Sequence, residues 1–443
     1  MKTWRRSEYS EPIPSDLIYE ILSSLPAKSI ARFRSVSKLW CSILGRTDFT
    51  ELFLTKSSCR PQLLFTCVKN NELVFFSTPQ TRENWFPVVA PDYHMKLRCD
   101  RFLQIFNPIS GLVCFNDQRG RKNGLVATVI CNPSTGQSFT LPKMMTRRRV
   151  ALSSYLGYDP IEKQFKVLAM TFPFRSDDGI SEEHQVLTLG GTGSWRMVQC
   201  CIPHCPGWKV ICISGVLYYQ AKVNMSSSCS MIVCFDVRSE KFSFIKVTEA
   251  FTSVVHHTST LINYKGKLGS ITTPDFYCVS GKTGAFVLCV LENPEKHEWS
   301  KHIYIFPPEW EHVFGQRTFH IVGVTRNNEV ILSRLYPSDP FYVFYFNLEK
   351  KTIIRVQIQG MGAFMGDVYT FVDHVEDLQS LLYSGVKERT LFHPVDHGCP
   401  GEKVTRLPRP RLGASQIILW TRRSCELAGV DKLVNIGSTQ QGG

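Results

Sequence analysis

Six polar turns set the frame of this chain. Asn70, Asn132, Gly190, Asp236, Asn293 and Asn347 open them, at separations of 62, 58, 46, 57 and 54 residues. On either side lie runs rich in Val, Ile, Phe, Tyr and Leu, as in "LVATVICNPSTGQSFTLP", "SMIVCFDVRSEKFSFIKV" and "PFYVFYFNLEKKTIIRVQI". Each reads as strand, polar turn, strand. Between these hairpins a second kind of turn recurs, in "ISGLVCF" at Gly111, "ISGVLYY" at Gly215, "YKGKLGSI" at Gly266 and "RNNEVILS" at Asn328. Two hairpins per repeat make four strands in about 50 residues, the arithmetic of a kelch-type propeller blade. Six markers predict about six blades, with a pair of β-sandwiches as the alternative. The long helical patterns that an alternating α/β domain needs are missing.

The first 60 residues carry a different grammar. In "PIPSDLIYEILSSLPAKSIARFRSVSKLW" Ser15 can cap a helix, and Asp16 favours the positive end of its dipole. Leu17, Ile18, Ile21, Leu22 and Leu25 follow at helical spacing, and Pro26 ends the run. Two more short helices are expected, at about Lys28–Arg34 and Ser37–Leu44, with Ile30, Phe33, Val36, Leu39, Trp40 and Ile43 as their apolar positions. Helices this short bury too little surface to stand alone, so part of their apolar face belongs to another surface. The expected class is therefore α+β and multidomain, a small N-terminal helical domain followed by an all-β, propeller-like one. The expected divisions are a flexible 1–9, helices in 10–55, the β domain in 60–383 and an irregular extension in 384–443. That last stretch is rich in Gly, Pro and Arg, breaks the strand rhythm and is expected to be largely unfolded.

Composition narrows the function. The longest apolar runs, such as "FYVFYF", fall far short of the roughly 20 residues that span a bilayer. The charged N-terminus has no apolar signal region, which places the expected location in the cytosol or nucleus. The 16 cysteines then read as reduced thiols, and Cys212 and Cys234, set among apolar neighbours, read as small core residues. The net charge of +13 raises a nucleic-acid partner, but the basic residues are scattered apart from Arg147, Arg148, Arg149 and the C-terminal segment. No RNA-binding signature stands beside them, so an acidic protein partner or solubility is preferred to nucleic acid.

Catalytic or metal-type groups form no complete set in the sequence. Cys200, Cys201, His204 and Cys205 in "CCIPHCPGW" have metal-like spacing, but no second ligand pair accompanies them. His256 and His257 are adjacent and would point to opposite faces of a strand. His393 and His397 lie in the irregular tail, in "HPVDH". "LGGTGSW" lacks the Lys-Ser/Thr ending of a phosphate loop. "NMS" at Asn224 is read as a loop. The sequence therefore yields no catalytic residue, no metal ligand set and no cofactor site.

Residues 12–48 resemble an F-box, through Pro14, Asp16, Leu17, Glu20, Ile21, Leu22, Leu25, Pro26, Lys28, Ser29, Arg32, Phe33, Val36, Ser37, Lys38 and Trp40. Together with "GLVCF", "CNPSTGQSFTLPK", "LGYDPIEKQFKV", "HQVLTL", "SWR" and "FDVRSEKFSFI", the chain resembles the plant F-box proteins that carry an F-box associated domain. The likeness runs from about residue 10 to 383. In that family the chain usually finishes soon after "YTFVDHVEDL", which makes residues 385–443 either an unusual extension or a product of altered reading of the coding sequence.

The resemblance implies a non-catalytic receptor subunit of an SCF-type cullin-RING ubiquitin ligase. Its helices would dock on the Skp-type adaptor, and through it on cullin and RING subunits. Pro14, Leu17, Ile21, Leu22, Leu25 and Pro26 would form the adaptor interface, while Phe33, Val36, Leu39 and Trp40 would seat the β domain. The β domain would hold an unknown target protein. The alternatives are a propeller-based binding protein or enzyme independent of ubiquitination, such as a copper oxidase, and a basic nucleic-acid binder.

Overall fold

The computed structural model describes residues 15–379, apart from 81–87, 100–101, 120–124, 145–149, 174–179, 182, 192, 224–229, 257, 274–277, 316 and 365. Four N-terminal helices precede six small sheets, which form the blades of a propeller. The sheets within 102–140, 150–198, 205–246 and 260–305 each contain four antiparallel strands laid side by side in chain order. The sheet within 320–358 gains a fifth strand, Val88–Val89, which runs parallel to Ile353–Ile358. First strands of successive sheets lie against one another, from Val150–Asp159 through Cys205–Ile213, Thr260–Tyr264 and His320–Val324 to Val368–His374.

The remaining blade joins the two ends of the domain. Gln62–Lys69, Glu72–Pro79 and Asp92–Arg98 form its outer three strands, and Val368–His374 pairs antiparallel with Gln62–Lys69 as the innermost. Hydrophobic clusters fill the spaces between blades. Between the fifth and sixth blades in chain order, Phe306 stacks on Trp310 at 3.6 Å and Trp310 on Phe314 at 3.7 Å. None of the described cysteines is in a disulfide, and Cys67, Cys114, Cys131, Cys234 and Cys289 are buried in these cores. Among the described residues no helix is long and apolar enough to cross a membrane.

The repeat seen in the sequence is a repeat of turn chemistry. The Oδ1 atoms of Asn132, Asn293 and Asn347 each accept two backbone N–H groups from residues two and three positions on, at 2.7–3.3 Å. Asp236 accepts one, from Ser239 at 2.6 Å. The residue four positions after each marker, Gly136, Glu240, His297 or Lys351, takes a positive φ. These turns join the third and fourth strands of their blades, and so does the glycine turn at Gly190.

Asn70 is different. It joins the second and third strands, because the innermost strand of its blade comes from the other end of the chain. The second set of turns joins first to second strands. Ser110–Gly111, Ser214–Gly215 and Lys265–Gly266 have positive φ at both residues, the geometry that suits the twist of a two-residue hairpin.

Asn347→Ala removes two acceptor contacts from one such turn and should cost about 1–2 kcal/mol of stability. Lys350→Ala, which removes only a side chain from the same turn, should change stability by less than about 0.5 kcal/mol. Chemical unfolding of the two variants checks this, and equal losses would contradict it.

Candidate functional site

The helical unit comprises α1 (Ser15–Ser23), α2 (Ala27–Arg34), α3 (Lys38–Leu44) and α4 (Thr47–Ser58). The Ser37 hydroxyl caps α3 by accepting from Trp40 N–H at 3.2 Å. The sequence pattern predicts three helices, and α4 is a fourth. Its signal, Phe49 and Phe53 four residues apart, is diluted by Thr47, Thr50 and Thr55, which are weak helix formers. Both phenylalanines are fully buried, in a cluster with Leu22, Ala27, Ile30, Leu44 and Leu378.

Leu378 belongs to a short strap, residues 375–379, that leaves the ring-closing strand and enters the helical unit. A Glu376 carboxylate oxygen accepts from Ala27 N–H at 3.1 Å, at the start of α2, where Pro26 offers no side-chain cap. Glu376 N–H donates to Ser57 Oγ of α4 at 2.7 Å. The next residue ties the strap back to a blade turn: Asp377 N–H donates to Ser134 Oγ at 3.2 Å, and Asn132 Nδ2 donates to the Asp377 carbonyl at 3.0 Å. At Gly111, which has φ +83°, a Cβ would meet Asp377 Cβ at 2.5 Å, so the strap requires glycine there.

Further ties surround the strap. Arg60 donates to the carbonyls of Ser23 and Ser24 at the end of α1, and Arg326 Nη1 donates to the Ser58 carbonyl at 2.8 Å. The exposed Lys163–Glu51 pair at 2.8 Å adds little in water. The helices thus sit on the propeller face that carries the first-to-second-strand turns at Gly111, Lys163 and Asn328.

This seat differs from the expected one. Val36 and Leu39 were expected to face the β domain, yet they are 67% and 68% exposed. Phe33 and Trp40 pack on each other, ring centres 6.0 Å apart, within the helical unit. The physical reason is that α4 and the strap already cover the side on which the propeller lies. Of the expected adaptor residues, Leu17 is 53% and Ile21 48% exposed, and Pro26 is exposed. Leu25 is half-buried, and Leu22 is buried in the unit's own core. Pro14 lies outside the described residues. The helical unit therefore presents Leu17, Ile21, Val36 and Leu39 to solvent while its opposite side is fixed.

The propeller's central channel holds a second candidate surface, a cavity of about 680 Å³. Trp208, Lys209, His320, Arg334 and Tyr369 contribute to it, and its described lining contains no aspartate or glutamate. Lys209 Nζ donates to the Ser259 carbonyl, and burial pulls its ammonium down to about 8. Burial also lowers the Arg334 guanidinium. The lining draws on the starts of first strands, at Thr260, His320 and Val368, and on the end of a second strand at Ser333. The cavity therefore opens on the propeller face opposite the helical unit.

The cysteine–histidine cluster is partly assembled: Cys200 and His204 come together, joined by His184 from a neighbouring strand rather than by Cys201 or Cys205. "LGGTGSW" is the hairpin turn between Glu183–Thr188 and Arg196–Val198, with Gly190 and Gly193 at positive φ. Arg147, Arg148, Arg149, Asn224, His257, His393 and His397 lie outside the described residues, as does 384–443.

Comparison with known proteins agrees with this division. Residues 12–52 match the F-box domain family, and residues 62–375 match the F-box associated beta propeller domain. F-box protein DOR of Arabidopsis thaliana is 53% identical over 384 residues, which cover 84% of this chain and 95% of that protein. F-box protein At5g65850 of the same plant is 49% identical over 381 residues, covering 85% of this chain and 92% of its own.

The strap carries a pH signature. Burial pushes the Glu376 carboxyl up to about 7, against the pull of the Ala27 amide and the Arg60 guanidinium, and pushes Asp377 up to about 6. The folded chain thus holds the Glu376 proton more tightly than the unfolded chain. This contribution to stability is complete below pH 4.5 and is lost as pH rises through about 7. Glu376→Gln keeps an acceptor for Ala27 and removes the titration. Its stability relative to the parent should rise between about pH 5 and pH 8 in chemical unfolding, and a difference that does not change with pH would contradict the assignment.

Proposed function

The chain belongs to the F-box proteins that carry an F-box associated β-propeller domain, and on that premise we propose that it is a substrate receptor of an SCF-type cullin-RING ubiquitin ligase. The observation that carries this reading is the helical unit itself, held on one side by α4 and the strap and leaving Leu17, Ile21, Val36 and Leu39 exposed on the other. Apolar side chains left in water on a fixed helical surface suit a partner that completes their burial. A Skp-type adaptor is that partner, and it brings the cullin and RING subunits. The receptor works in the cytosol or nucleus.

The role of the chain is positional. A target held on the propeller is kept at high effective concentration near the ubiquitin-conjugating enzyme, and the transfer chemistry belongs to other subunits. The channel mouth is the target surface that the geometry favours, since it opens away from the helices. Its cations, Lys209 and Arg334, and its exposed Trp208 suit an acidic segment with an apolar anchor.

Co-expression of the full chain with a Skp-type adaptor should give a stable one-to-one complex. Leu17→Asp combined with Leu39→Asp should abolish it and leave the β-sheet circular dichroism unchanged, because both side chains stand in solvent in the free chain. Failure to bind any of several adaptors despite a folded propeller, or undiminished binding by the variant, would overturn the proposal.

A further inference from the structure

The loop 199–204 carries the chain from Arg196–Val198, the outer edge of one blade, to Cys205–Ile213, the innermost strand of the next. On its way it passes His184, in the strand Glu183–Thr188, whose residue opposite on the edge strand is Val198. One ligand atom each of His184, Cys200 and His204 lies within 4.8 Å of the other two. His184 is 4% exposed, and its Nε2 has no hydrogen-bond partner among the described residues. A buried ring nitrogen without a partner is costly, and this ring lies beside a second imidazole, with the centroids of His184 and His204 5.3 Å apart.

His204 is placed to serve a metal through one nitrogen and be held through the other. Its Nε2 lies 2.8 Å from the hydroxyl of the buried Tyr219, and its Nδ1 lies 3.8 Å from Cys200 Sγ and 2.8 Å from the Ile202 carbonyl. In one tautomer Nδ1–H donates to Ile202. In the other, Nε2–H donates to Tyr219 Oη, which frees the Nδ1 lone pair. A ligating histidine whose second nitrogen donates to a fixed partner is the usual second-layer arrangement of a metal site. Cys200 is half-buried in the loop and borders a groove shared with Cys201 and Glu240.

We propose that His184, Cys200 and His204 bind a single Zn(II) ion, with the fourth position open to that groove. Two imidazoles and a thiolate are a zinc donor set, and an open fourth position is filled by water. With Zn–N near 2.0–2.1 Å and Zn–S near 2.3 Å, tetrahedral donors stand roughly 3.3–3.6 Å apart, so from the observed bound of 4.8 Å the most distant pair closes by up to about 1.2–1.5 Å. Binding forms the Zn–S bond, and the Cys200 thiol proton passes to solvent. The ion would fasten the inter-blade loop to the strand Glu183–Thr188, adding to the link that Ser181 N–H, just before that strand, makes with the His204 carbonyl at 2.9 Å.

The test uses the full chain, stripped with a chelator and then dialysed against Zn(II), and in parallel against Co(II). The expected result is one metal ion per chain and a thiolate-to-cobalt charge-transfer band. That band should persist in Cys201→Ser and vanish in Cys200→Ser. His184→Ala should weaken Zn(II) binding by at least about 100-fold, more than the loss of a supporting partner costs. If His184→Ala does not fold, Cys200→Ser decides the case, since it changes one atom in a loop. No metal uptake by the parent chain, or equal uptake by the parent and Cys200→Ser, would overturn the site; the latter would mean adventitious binding at surface cysteines.

Discussion

The pairing of Val368–His374 with Gln62–Lys69 holds the rest in place. A ring of blades closes only if its last strand meets its first, and here that contact is a hydrogen-bonded ladder inside one blade. Because the strands at the two ends share that blade, the chain that enters the ring and the chain that leaves it emerge side by side. The helices precede Gln62 and the strap follows His374, so one closure both completes the propeller and delivers Glu376 and Leu378 to the helical unit.

That arrangement explains how so small a set of helices keeps a defined pose. Their core is completed from outside by Leu378, and the start of α2 is capped by a carboxylate 349 residues away in sequence. The seat is polar as well as apolar: Arg60, Arg326 and Glu376 each meet backbone groups at helix ends that the helices cannot satisfy internally. With one side so fixed, the exposed side chains of α1 and α3 are presented in a constant orientation relative to the channel mouth on the opposite propeller face. A receptor that must hold its target at a set distance from a bound adaptor needs that constancy.

The blade repeat was legible because its turns are local: an Asn or Asp that caps its own turn marks the hairpin without reference to anything distant. The six markers accordingly anticipate six blades. What was not legible depends on pairing across the chain. Nothing near Asn70 announces that its blade borrows a strand from residues 368–374, and nothing in "VEDL" announces a helix cap. The fourth helix was hidden by threonines, and the outward aim of Val36 and Leu39 follows from where α4 and the strap lie, which helical periodicity alone does not reveal. In the same way Cys200 and His204 were visible as a pair, whereas His184 joins them only through strand pairing.

Hydrogen–deuterium exchange of the full chain, with and without a Skp-type adaptor, tests whether the helical unit is a fixed platform that would receive the adaptor on its outer face. Added protection should fall on α1 and on the α2–α3 segment around Val36 and Leu39, with α4, the strap and the blades unchanged. Protection that appears on the blades instead, or adaptor binding that exposes residues 375–379 to exchange, would contradict it.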